Sequence, residues 1–258
     1  MCGGLTLVMD RIDNHQSMAY LDHNPEERNL REGERPEIAR LPLFAEMDEA
    51  ARDRIFAASF LQAFPPQLTL FEVGQHADFL HVLVDGLVEL YTTNAERDTT
   101  MAIIEPVRSF ILAAVITEQP YLMAARTLEP SRILMIPARL LREVIQQDGA
   151  LMQATMRELA MGYRGLVRAL TDLKLRQSTE RLGNYLLLES RKRGGAAMLQ
   201  LRGEKRLLAS LLGMTPENLS RAFGALGKHG VVVEGPNIII ENLAALEAYA
   251  RPDTFADS

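Results

Sequence analysis

EKRLLASLLGMTPENLSRAFGAL, residues 204–226 of a 258-residue chain, decides the fold of its C-terminal part. Leu207, Leu208, Leu211 and Leu212 recur at helical spacing and mark one buried face of a first helix. Gly213 can take the left-handed conformation that ends that helix. Thr215 is a ready N-cap for a second helix, and Pro216 falls at its first position, where the missing N–H costs nothing. Leu219, Ala222, Phe223 and Leu226 give the second helix its core side, while its exposed start carries Glu217, Asn218, Ser220 and Arg221. This is the pattern of a helix-turn-helix, whose second helix enters the DNA major groove with its N-terminal residues facing base edges.

Each exposed side chain suits a task there. The Arg221 guanidinium can bond bidentately to guanine O6 and N7. Glu217, one helical turn earlier, can accept from a cytosine or adenine amino group or brace Arg221. Ser220 is small enough to touch a thymine methyl or a phosphate, and Asn218 completes the candidate base-reading set. Thr215, Lys205 and Arg206 are candidates for phosphate contacts, which position a protein on the duplex without reading it.

Glu217, Ser220 and Arg221 stand in an E-x-x-S-R arrangement that resembles the recognition helix of the CRP/FNR superfamily of bacterial transcription regulators. It is the FNR-type version, because the CRP-type helix has Gly where Ser220 stands. The run KRLLASLLGMTPENLSRAF looks most like the nitric-oxide-responsive denitrification regulators of the NnrR/DNR type. The resemblance implies a homodimer on an inverted repeat of TTGAT-type half-sites, acting mostly as an activator that contacts RNA polymerase. It also implies control of anaerobic or nitrogen-oxide metabolism, with nitric oxide and haem as possible signals. In one departure, Glu204 stands where the family's first helix often begins with Ser or Thr. A glutamate there still suits the helix dipole, but a phosphate contact from that position is not implied.

The net charge of −6 argues at first against nucleic acid, yet its distribution reverses that. Residues 174–232 hold eleven Lys/Arg and four Asp/Glu, a surplus of +7, so the remainder carries −13. A basic module on an acidic body fits a DNA-binding domain joined to a regulatory one. Cys2 is the single cysteine, so no intramolecular disulfide can form. The start MCGGLTLVMDRID has no basic n-region, and the longest apolar run, FILAAVI, falls far short of the roughly 20 residues of a membrane span. A cytoplasmic protein with no membrane partner is expected.

Working outward, VVVEGPNIII reads as a hairpin, the wing of a winged helix, and NLAALEAYA as a last helix. STERLGNYLLLESRKR reads as the first helix of this domain, capped by Ser178 and closed at Gly194-Gly195, and MLQLRG as a strand. Upstream, Met152, Met156, Leu159, Tyr163, Leu166, Leu170 and Leu173 are spaced 4-3-4-3-4-3. That a/d seam predicts a two-stranded coiled coil between two copies, although such a stripe can also pack on its own domain. Gly162 and Gly165 weaken this helix by about 1 kcal/mol each relative to Ala.

LTLFEVGQHADFLHVLVDGLVELYTT alternates apolar and polar residues and is punctuated by Gly74 and Gly86, which argues antiparallel β. TTMAIIEP and AARTLEPSRILMIP add strands, and LPLFAEMDEAARDRIFAASFLQAF carries a helical period. The Gly74–Gly86 pattern resembles the cyclic-nucleotide-binding β-roll of the same superfamily. An α+β fold is therefore expected. Its parts are an extension (1–37), a β-roll sensor (38–147), a dimerisation helix (148–176) and a winged helix-turn-helix (177–250).

That superfamily binds the cyclic nucleotide through a Gly-Glu pair and an Arg-Ser pair. Here Ile111 or Leu112 replaces the Glu, and Tyr121-Leu122 replaces the Arg-Ser, so no cAMP is expected. An iron–sulfur cluster needs four Cys thiolates and is not expected either. Two effectors stay open. One is haem, with His15, His23 and His81 as candidate ligands, beside His76 and Cys2. The other is a small organic or aromatic molecule lined by Phe110, Leu112, Tyr121, Met123 and Met156. Activity without an effector, or a cyclic-nucleotide-binding module with no DNA role, are further alternatives. No glycine-rich phosphate loop, H-E-x-x-H or nucleophile elbow is present, so no enzyme is expected.

Overall fold

The computed structural model describes residues 30–94, 97–201 and 204–252. Eight strands form two antiparallel four-stranded sheets. One has the order β1-β8-β3-β6 and the other β2-β7-β4-β5. They are built from β1 (Phe60–Phe64), β2 (Thr69–Phe71), β3 (Phe79–Asp85), β4 (Val88–Asn94), β5 (Arg97–Ile104), β6 (Arg108–Phe110), β7 (Ala124–Thr127) and β8 (Ser131–Pro137). Phe71, Leu83, Leu90, Phe110, Tyr121 and Ile133 meet in the core between the sheets. The opposite side of the first sheet is also covered. Leu80, Val82 and Val84 of β3 pack there with Phe44, Phe56 and Leu141. β3 is thus buried on both sides, which is why FLHVLV is nearly continuous in apolar residues. Gly86 turns this strand at φ +101°, and a Cβ there would come within 2.3 Å of Ser131 Oγ, so only glycine fits.

Short helices complete the sensor: α1 (Arg35–Ala39), α2 (Glu49–Ala58), α3 (Leu112–Thr117) and α4 (Ala138–Ile145). Two expectations need correction. The helical reading of LPLFAEMDEAARDRIFAASFLQAF runs too far in both directions. Asp48 starts α2 by accepting from the Ala50 and Ala51 N–H groups, and Ser59 is already extended. FLQAF is strand β1, paired with β8 in the register Phe60↔Met135. The boundary at 37 is also too late. Leu30 is buried, and its N–H donates to Ser59 O at 3.1 Å, so residues before 38 already belong to the packed domain. Cys2, His15 and His23 lie outside the described residues.

α5 (Gly149–Leu175) is one continuous helix through Gly162 and Gly165. Among the described residues, nothing beyond the helix's own backbone lies within 4 Å of a Cβ built at either glycine, so no close approach among them requires these glycines. Its N-cap Asp148 accepts from Leu151 N–H at 2.7 Å and from Asp48 N–H at 2.9 Å, tying α5 to the start of α2.

α6 (Ser178–Lys192) opens the last domain. Gln177, rather than Ser178, is its N-cap, in a capping box closed by Glu180 accepting from Gln177 N–H at 2.8 Å. β9 (Met198–Gln200), α7 (Lys205–Leu211), α8 (Pro216–Leu226), β10 (Val231–Glu234), β11 (Asn237–Ile240) and α9 (Leu243–Ala250) follow. β10 and β11 form the wing, and β9 extends it into a three-stranded sheet. Leu182, Leu186, Leu208, Leu219, Phe223, Leu226, Ile238 and Leu246 form this domain's own core.

Candidate nucleic-acid interface

Gly213, at φ +62°, ends the turn after α7, as expected. Thr215 caps α8 by accepting from Asn218 N–H at 3.2 Å, and Pro216 occupies its first turn. Leu219, Ala222, Phe223 and Leu226 are buried on one side. On the other side Glu217, Ser220 and Arg221 are exposed, and Asn218 is half-buried. The Arg221 guanidinium donates to Asn218 Oδ1, so Asn218 holds the fork one turn from the helix start. That gives Asn218 an orienting role beside any base contact of its own. Lys205 and Arg206 are exposed at the start of α7, where phosphate contact is expected.

Composition and periodicity did not single out Arg181. From α6 its Nε donates to Leu212 O at 3.0 Å and its Nη1 to Arg176 O at 2.8 Å. It clamps the helix-turn-helix turn to the end of the long helix. The cations of residues 191–193 are less available than their number suggests. Lys192 and Arg193 bond Glu189 at 2.7 and 3.5 Å, and Arg191 meets Glu247 at 3.2 Å.

On α5 the heptad stripe divides. Met152, Met156, Tyr163, Leu166, Leu170 and Leu173 are 39–69% exposed, far more than large apolar side chains in a self-contained fold. Leu159 instead packs on the sensor core. Leu173 also reaches the turn before α8, where a Cβ on Gly213 would meet its Cδ2 at 2.7 Å.

The candidate effector residues only partly converge. Phe110 and Tyr121 share the core between the sheets, with Met123 packed against it. Leu112 joins the other core, because Ile111 at φ 62° turns the chain into α3 between the two residues. Met156 is 55% exposed on α5. The centre of the group is aromatic. Phe71 stacks on Tyr121 at 4.0 Å, and His81 lies 5.1 Å from Phe71 and 5.3 Å from Phe110. Burial raises the Tyr121 phenol pKa, and its O–H donates to Phe79 O at 3.3 Å.

His81 is buried with Nδ1 unpartnered, and burial lowers its pKa from 6.5 to about 4. Below pH 6.5 the unfolded histidine takes up a proton that the folded one refuses. Stability from this site is therefore full above pH 6.5 and is lost as pH falls toward 4, by at most about 3 kcal/mol. His81→Phe is expected to flatten that loss, measured as the difference between urea midpoints at pH 7 and pH 4.5 in the two proteins.

A charged network lies in the second sheet. Glu89, 1% exposed, accepts from Thr100 Oγ1 at 2.6 Å and from Arg126 Nε at 2.7 Å. Arg126 also bonds Asp98 at 2.8 Å and lies over the Tyr91 ring at 4.3 Å. Among the described residues, no helix is long and apolar enough to cross a membrane.

Comparison with known proteins agrees with this architecture. Residues 61–148 match the model of the cyclic nucleotide-binding domain, and residues 180–249 that of the Crp-like helix-turn-helix domain. The anaerobic regulatory protein of Bacillus subtilis (strain 168) is 26% identical over 169 residues, covering 63% of this chain and 71% of that protein. The anaerobic regulatory protein of Pasteurella multocida (strain Pm70) is 25% identical over 185 residues, covering 69% of this chain and 67% of that protein. Among solved structures, FixK2 of Bradyrhizobium japonicum shares the fold with TM-score 0.66 at 20% identity, over 74% of this chain and 96% of that one. A CRP-family transcriptional regulator from Thermus thermophilus does so with TM-score 0.59 at 20% identity, over 74% and 97%. With a sensor β-roll, a long connecting helix and a winged helix-turn-helix in this order, the chain belongs to the CRP/FNR family of DNA-binding transcription regulators.

Proposed function

We propose that the protein works as a homodimer on an FNR-type inverted repeat with TTGAT-type half-sites, and that it activates genes of anaerobic or nitrogen-oxide metabolism through contact with RNA polymerase. The observation that carries this reading is the α8 surface, where Glu217, Ser220 and Arg221 lie exposed on a helix whose other side is fully committed to the core. The exposed stripe on α5 supports pairing of two copies. Pairing sets two α8 helices about one DNA turn apart, roughly 34 Å. The relatives named anaerobic regulatory proteins support the metabolic setting.

The effector is proposed not to be cAMP. Tyr121, at the place of the family's phosphate-binding Arg, is turned into the core, and the next residue, Leu122, is 84% exposed. A phosphate buried there would lack its cation, a penalty of several kcal/mol. The aromatic group around Phe110 and Tyr121 favours a small organic effector, which would displace or stack on these rings. A haem-linked signal remains the other reading. His81 does not suit it as the ring stands, because Phe71 and Phe110 flank the imidazole and would have to move before iron could reach it. Haem would then rest on His15 or His23 or on the exposed His76. A Soret band in protein purified anaerobically with haem supplied supports the haem reading, and a flat spectrum supports the organic or effector-independent one.

Selection from random duplexes tests the DNA assignment. The expected product is an inverted repeat of two half-sites centred about one turn apart. Recovery of unrelated sequences, or of none, would sink the reading.

A further inference from the structure

We propose that strand β5 and helix α7 form an intramolecular latch that holds the DNA-binding domain against the sensor in an arrangement that opposes DNA binding. β5 is the edge strand of its sheet, and an edge strand offers unpaired N–H groups. A bulge lies within it: Tyr91 pairs with Thr100 and Leu90 with Ala102, leaving Met101 without a cross-strand partner. Bulges re-aim a strand locally and mark designed positions. Beside this one, the Thr100 N–H donates across the domain boundary to Ser210 Oγ of α7 at 2.8 Å.

The sensor side of this contact is stiff. Thr100 also donates its hydroxyl to buried Glu89, and Glu89 and Asp98 are both held by Arg126. Arg206, on α7, lies within electrostatic reach of Asp98. Burial pushes the Asp98 carboxyl up, but the Thr93 hydroxyl and Arg126, with Arg206 behind them, hold it below its usual range and therefore charged. The seam is not fully packed: a cleft of about 290 Å³ separates Met101, Ile103 and Arg108 from Tyr185, Leu207 and Leu211. A seam that carries the Thr100–Ser210 hydrogen bond, a long-range charge interaction and a cleft among the described residues is built to separate.

The opposition to DNA follows from charge. Arg206 is the phosphate candidate at the start of α7. In the latched arrangement the Asp98 carboxylate, which bonds Arg126, lies within electrostatic reach of Arg206 and would oppose a phosphate arriving there, like charge against like. DNA and the sensor therefore compete for one helix. This rests on the phosphate assignment of α7, whereas the latch itself can be read without DNA.

The test uses the full-length protein and two variants. Ser210→Ala removes the acceptor and keeps a strong helix former. Asp98→Asn acts from the sensor side, with Asp53→Asn on exposed α2 as its charge-matched control. In Ser210→Ala, amide exchange of the β5 peptide around Thr100 is expected to quicken. Both latch variants are expected to bind a specific duplex about 3- to 10-fold more tightly at fixed salt, the scale of one lost hydrogen bond. Asp53→Asn is expected to stay within about twofold of the parent. Unchanged exchange overturns the latch. Faster exchange with unchanged or weaker DNA binding overturns its opposing role, as does equal tightening by Asp53→Asn. If the parent binds no specific duplex, the DNA assignment fails while the exchange result still decides the latch.

Discussion

Replacing Arg221 by alanine is expected to remove most sequence preference while leaving a salt-sensitive attachment to any duplex. A bidentate arginine–guanine contact discriminates by about 1–3 kcal/mol, and a dimer makes it twice, so the specific complex loses about 2–6 kcal/mol. The lower figure is roughly a thirtyfold loss of affinity. Non-specific binding is expected to survive because the proposed phosphate contacts, Lys205, Arg206 and Thr215, are untouched. Arg221 is exposed, and alanine favours helix, so the fold should hold. The salt slope separates the roles: Arg221→Ala leaves it nearly unchanged, whereas Lys205→Ala lowers it by about one per protomer. Mobility shifts on matched and scrambled duplexes across a salt series measure both. Preference that persists in Arg221→Ala means that α8 does not dock by its N-terminal turns.

The second large effect concerns the stripe on α5. Leu166→Glu with Leu170→Glu is expected to convert the dimer to monomer. The two leucines are 64% and 50% exposed in the single chain, so their burial is available to a partner. At about 1.5–3 kcal/mol for a fully exposed leucine, scaled to these exposures and with both copies contributing, burial worth on the order of 3–7 kcal/mol is at stake before entropy is counted. Glutamates facing each other across the seam add repulsion. The thermal midpoint of the isolated fold should barely move, since neither leucine belongs to its core. Sedimentation equilibrium reports the outcome, and a dimer that persists would place the interface elsewhere.

What was legible in the sequence was local. The helix-turn-helix could be read because its determinants lie within about twenty consecutive residues: Gly213 at the turn, Thr215 at the cap, and Leu219, Ala222, Phe223 and Leu226 inward. The β-roll could be read from alternation between turn glycines. β1 was hidden because FLQAF follows α2 with no Gly or Pro between them, and only pairing with β8, some seventy residues later, makes it a strand. The effector candidates only partly meet for a related reason. Phe110 and Leu112 are neighbours in sequence, yet the positive φ of Ile111 sends them to different cores. Arg181 and Ser210 looked like ordinary polar positions on amphipathic helices. Their partners, Leu212 O and Thr100 N–H, come from tertiary contact, and no spacing rule announces those.

The claim that two copies read DNA together is tested most directly by moving the half-sites apart. Affinity is measured for a duplex carrying the selected inverted repeat and for the same duplex with five base pairs, about half a helical turn, inserted at its centre. In the proposed pairing α5 holds both α8 helices in one geometry, so the insertion turns one half-site to the opposite side of the duplex. Binding should then fall to the level of a single half-site. Equal affinity for the two duplexes would contradict a paired reader built on this helix.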